Sequence, residues 1–71
     1  MIRLNDIKTN LRNAIRNSGL SQTHISNQLG VSQQVISQYL SGRALPALDT
    51  FANLCVLLDV DPADILGTNN G

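Results

Sequence analysis

Seventy-one residues, 42% of them hydrophobic and none of them tryptophan, make one small domain whose core is marginal unless good helix packing or dimerisation helps. No run of ~18 apolar residues exists to span a membrane. The single Cys55 excludes an internal disulfide, and with the single His24 it makes no metal set.

Five bases and five acids give a formal net charge of zero, which argues mildly against a nucleic-acid binder. Their distribution argues the other way. Residues 1–43 hold Arg3, Lys8, Arg12, Arg16 and Arg43 against Asp6, a net of +4. Residues 44–71 hold Asp49, Asp59, Asp61 and Asp64 with no base, a net of −4. A phosphate backbone would attract the first part and repel the second; chance segregation in a short chain is the competing explanation. One His, one Cys and four carboxylates in an acidic second half form no spaced nucleophile–base or metal set, so no enzyme and no cofactor are expected. Met1 to Asp6 lacks the apolar run of a signal peptide, and the chain reads as cytoplasmic.

In chain order, Leu4 to Ser18 reads as a first helix. Leu4, Ile7, Leu11, Ala14 and Ile15 form its core-facing stripe, Asn5 or Asp6 is expected to cap its start, and Gly19 to end it. Lys8, Arg12 and Arg16 stand four apart, a basic stripe read as a solvated face rather than a phosphate-facing flank. A second helix covers about Gln22 to Leu29, capped by Ser21 and stopped by Gly30, with Ile25 and Leu29 inward and His24 on the outer face. Gln22 lies in its first turn, where a side-chain amide and the orphan backbone N–H groups together suit a phosphate.

Ser32 and Gly42 bound a third helix from Gln33. At ~100° per residue, Gln33, Gln34, Ser37, Gln38 and Ser41 share one arc, and Val35, Ile36, Tyr39 and Leu40 share the other. The apolar arc needs a core. The polar arc carries no charge. A face built for solubility usually carries Lys, Glu or Arg, whereas neutral amides and hydroxyls suit base edges, and Gln can bond adenine N6 and N7 together. A merely hydrated face is the bland alternative. Val35, at the edge of the apolar arc, suits either a thymine methyl or packing.

Pro46 bars helix from Leu45. Ala47 to Leu58 reads as a fourth helix with Phe51, Leu54, Cys55 and Leu58 on one face, Cys55 being a small core hydrophobe rather than a reactive thiol. Val56 and Leu57 are apolar on what should be an outward face, either a partner surface or packing under the last helix. That short fifth helix is capped by Asp61, begins at Pro62 and stops at Gly67. Residues 1–67 are the expected domain and residues 68–71 a mobile tail.

The pattern Gln22-x-x-Ile25-Ser26-x-x-Leu29-Gly30-Val31-Ser32-x-x-x-Ile36-Ser37-x-Tyr39-x-x-Gly42 resembles the helix-turn-helix of the lambda-repressor-like (Cro/CI, XRE) family, and the resemblance runs from about Leu4 to Leu66. It implies an all-α, compact five-helix domain in which helix two lies across the DNA backbone and helix three enters the major groove. Double-stranded operator DNA is the implied partner, bound by a homodimer. Gln33, Gln34, Ser37 and Gln38 are then the base readers, and Gln22 and Arg43 match phosphate contacts of the family. Leu45, Val56 and Leu57 are the candidate dimer surface. The chain departs from the family at four places, one being Cys55, which stands where Ala is usual. Ser26 stands where Ala is usual and needs a partner for its hydroxyl, such as a backbone carbonyl. Ala47 replaces a Ser cap. Ile15 and Leu40 stand where some members bury a charged pair. The implied function is a sequence-specific transcriptional regulator, a repressor by analogy. The alternative is a protein-interaction module such as an antitoxin or anti-repressor partner on the same fold.

Overall fold

Among the described residues five α-helices follow one another: α1 (Leu4–Asn17), α2 (Gln22–Leu29), α3 (Gln33–Ser41), α4 (Leu48–Leu58) and α5 (Pro62–Leu66). The computed structural model describes residues 1–69; Asn70 and Gly71, half of the expected tail, lie outside the described residues. No strand forms among the described residues, so the domain is all-α as the sequence implies. The radius of gyration is 11.4 Å, close to the ~11 Å of a compact chain of this length.

Hydroxyl and carboxylate caps open three of the helices. The His24 N–H donates to Ser21 Oγ at 3.0 Å, the Val35 N–H to Ser32 Oγ at 3.2 Å, and the Ala63 N–H to Asp61 Oδ1 at 2.9 Å. Each bond satisfies a donor the helix itself leaves orphaned. Gly30 (φ 72°) and Gly42 (φ 79°) close α2 and α3 in the left-handed region, where a side chain would be strained. Behind them the chain doubles back. The Val31 N–H donates to the Ser26 carbonyl and the Arg43 N–H to the Gln38 carbonyl, both at 3.0 Å, the six-to-one bond of a Schellman motif.

The start of α1 departs from expectation. Arg3, with extended backbone, occupies the cap position and supplies no side-chain hydrogen bond, while Asn5 and Asp6 lie inside the first turn rather than before it. Asp6 there complements the helix dipole. Leu4 also departs from the core stripe: it is 54% exposed, because α1 runs one turn beyond the packed part of the domain. Ser18 closes α1. Its hydroxyl donates to the Ile15 carbonyl at 2.6 Å and accepts the Leu20 N–H at 3.1 Å, and Gly19 follows in the left-handed region.

Every helix supplies the core, which gathers Leu11, Ile15, Ile25, Ile36, Tyr39, Leu54, Cys55, Leu58 and Ile65. Burying each such side chain contributes about 1.5–3 kcal/mol. α1 packs on α3 and α5, and α2 on α3 and α4. Asn10 Nδ2 fastens α1 to α5 by donating to the Ile65 carbonyl at 3.1 Å. Ser26, buried between α2 and its neighbours, finds the carbonyl partner it needs: its Oγ donates to Thr23 O at 2.9 Å. Ala47 gives α4 no side-chain cap, as its residue type requires.

Candidate nucleic-acid interface

The inner arc of α3 anchors the helix. Ile36 and Tyr39 are buried, and Val35 and Leu40 are half-buried against the same core. With that arc pinned, the opposite arc can only face outward. Gln33, Gln34, Ser37 and Ser41 are exposed and Gln38 is half-buried. Gln34, Ser37, Gln38, Ser41 and Arg43 line one shallow groove of about 320 Å³. Four of the side chains singled out from the sequence, Gln34, Ser37, Gln38 and Arg43, thus meet in one place, and Gln33 stands exposed in the same helix's first turn.

The Schellman turn holds the backbone of Arg43 at the end of that groove, and its N–H also lies 3.4 Å from Ser41 Oγ. Its side chain is exposed. Gln22 is exposed in the first turn of α2, immediately after the Ser21 cap. His24 is exposed beside it. The candidate surface therefore consists of neutral amides and hydroxyls with one guanidinium at its rim.

The three residues named for a dimer surface occupy different environments. Val56 is 81% exposed. Leu57 is half-buried and packs partly against the core. Leu45 is half-buried and lines an apolar groove of about 150 Å³ with Ile7, Leu11, Pro46, Leu48, Phe51 and Leu66. Leu48 was not singled out from the sequence, yet it is 87% exposed at the mouth of that groove. Helical period alone assigns it an angle on α4. It does not say that the first turn of α4 overshoots the core.

The buried titratable groups lie away from this face. Burial pushes the Tyr39 hydroxyl up, and burial together with the negative charge of Asp61 pushes the Cys55 thiol up, so both are held neutral. Cys55 is 2% exposed and behaves as core. Among the described residues no group of three His, Cys, Asp or Glu is placed to hold a metal ion, and no helix is long and apolar enough to cross a membrane.

A family model described as a helix-turn-helix domain matches residues 9–66. The match takes in α2 to α5 and most of α1, and so includes α3 and the turn after it, which line the groove. No curated protein and no solved structure matches the chain. The family match supports a DNA-binding regulator as the function class, and its members are generally non-enzymatic. The geometry agrees with the lambda-repressor-like resemblance, and with well over half of its 71 residues matched the chain belongs to the helix-turn-helix domain family.

Proposed function

We propose that the chain is a sequence-specific regulator of transcription, acting as a repressor in the cytoplasm, with residues 1–67 as the DNA-binding unit. One observation carries the reading: the outward arc of α3 is exposed, uncharged and rich in amides while the inward arc is locked in the core. Gln33 and Gln34, in the first turn, enter deepest into the major groove and pair with adenine through donor and acceptor together. Ser37 and Gln38 continue the contact one turn later. Gln22 and Arg43 hold the backbone on either side, which sets register rather than sequence.

A single recognition helix covers too few base pairs for useful specificity, so the chain acts as a two-fold dimer on half-sites roughly 34 Å apart. The dimer face comprises Leu45, Leu48, Val56 and the exposed part of Leu57. The support is that Leu48 and Val56 are large, apolar and almost fully solvent-exposed, and that Leu48 and Leu45 line an apolar groove.

Titration of duplex DNA over a salt series tests the reading. Binding should weaken steeply as salt rises. Arg43→Ala should weaken binding to all sequences alike and flatten the salt slope by about one unit. Absence of DNA binding at low salt, with capture of a protein partner instead, favours the interaction-module alternative, to which the net charge of zero lends some weight.

A further inference from the structure

The three bases of α1 are not equivalent. Arg16 is exposed, but Lys8 and Arg12 are half-buried. With Asn5, Thr9, Ser41 and Gly42 they line a depression of about 260 Å³ between α1 and the C-terminal turn of α3. Gly42 marks how close the two elements come: a Cβ built there would lie 3.6 Å from Lys8 Cδ, so the Lys8 stem rests on the turn. Arg12 Nε is buried and has no hydrogen-bond partner among the described residues, and leaving such a donor unsatisfied is costly. None of the six lining residues is acidic, so the depression holds two cations and no carboxylate.

Asp59, Asp61 and Asp64 lie against the other side of α1. At ~100° per residue, Lys8 and Arg12 flank one edge of the α1 apolar stripe, and Asn10, Asn13 and Asn17 flank the other. Those asparagines share a depression with Asp59, Asp61 and Asp64. Lys8 and Arg12 are therefore kept apart from Asp59, Asp61 and Asp64 across α1. Ser41 borders both the basic depression and the groove of Gln34, Ser37, Gln38 and Arg43, so the two run into one another.

We propose that Lys8 and Arg12 form a second phosphate seat, which receives the backbone of the same duplex beyond the segment under α3. The inference rests on the DNA-binding reading and extends the footprint from α3 onto α1. The two cations stand one helical turn apart, about 6 Å along α1, so they track a strand rather than grip one ion. Arg12, its Nε covered, presents only the outer part of its guanidinium. Ser41 serves as a wall and not as a ligand, because its hydroxyl already donates to the Gln38 carbonyl at 3.1 Å. The competing role is structural: two cations at the C-terminus of α3 also complement its dipole.

The test uses a duplex selected by the wild-type protein, with salt titration and phosphate-ethylation interference on Lys8→Gln, Arg12→Gln and the double variant. Arg16→Gln is the control. At about 0.9 units per phosphate lost, the double variant should flatten the salt slope by close to two units for each copy bound. It should also lose interference at phosphates flanking the half-site and keep the selected sequence. Arg16→Gln should leave slope and interference pattern as they are. If the double variant does not fold by circular dichroism, each single variant should still lose about one unit. A lower melting temperature with unchanged slope and unchanged interference overturns the proposal and assigns both residues to the α3 terminus. Wild-type protein that binds no duplex at all overturns the DNA-binding reading itself, a result distinct from the other.

Discussion

The outward faces of α3 and α4 differ in kind although their inward faces are alike. Both helices bury an apolar arc: Ile36 and Tyr39 in α3, and Leu54, Cys55 and Leu58 in α4. Outward, α3 shows Gln33, Gln34, Ser37 and Ser41, with neither charge nor large apolar group. α4 shows Leu48 and Val56 almost bare, with Asp49, Ala52 and Asn53 among them. Packing demands explain the inward arcs but neither outward one. An amide face gives up water cheaply because it exchanges one hydrogen bond for another, without the cost of stripping an ion. An exposed apolar face gains free energy only when something covers it. The two faces are therefore suited to different partners: base edges for α3, and a second apolar surface for α4.

The contrast between inner and outer arcs predicts the largest effect. Ile36→Ala removes a side chain with no solvent exposure and should cost about 2–5 kcal/mol of folding stability. Gln34→Ala, on the same helix two residues earlier, should change stability by less than about 0.5 kcal/mol. Denaturant titration of both variants checks this; equal losses would mean that the outer arc is structural.

Next in size is the outer arc of α4. Leu48→Ser should weaken self-association on a two-half-site operator by about 1.5–3 kcal/mol for each side chain no longer covered, with the core untouched. Sedimentation on one-site and two-site duplexes measures it. A monomer on a single half-site at saturating DNA would contradict the dimer.

The smallest effect sharpens the likeness of the two inner arcs. Cys55 is held neutral above its ordinary value of 9.0. The folded state then keeps its proton where the unfolded chain loses it. The stability this provides is present below pH 9 and falls away as pH rises through the raised folded value. Between pH 9 and 10, below the ordinary value of 10.0 at which Tyr39 would join in, Cys55→Ala should show a flatter decline of melting temperature with pH than the wild type.

Helix boundaries were legible wherever a side chain makes the cap. Ser21, Ser32 and Asp61 each accept the expected N–H, and Gly30, Gly42 and Gly67 each turn left-handed. The start of α1 was not legible, because Arg3 caps it with backbone geometry alone and no side chain announces it. The arcs of α3 followed from period, because its apolar and polar residues separate cleanly. Exposure of Leu4 and Leu48 did not, because period gives an angle about a helix but not how far along it the core extends. The basic depression was hidden for a similar reason. Lys8 and Arg12 appear as a solvated stripe until α1 is laid against the end of α3. That long-range packing, rather than anything local, buries Arg12 Nε and brings Lys8 onto Gly42.

Binding-site selection from random duplexes, run in parallel on the wild type, Gln33→Ala and Gln34→Ala, tests most directly whether α3 reads bases. The wild type should select A·T pairs in the outer part of each half-site. Gln34→Ala should relax the preference at one position, at a cost of about 1–3 kcal/mol on the preferred site, while its affinity for unselected DNA stays the same. If both variants select the same sequence as the wild type with the same stringency, α3 is not the reader, and the outward amides of this helix are a hydrated surface.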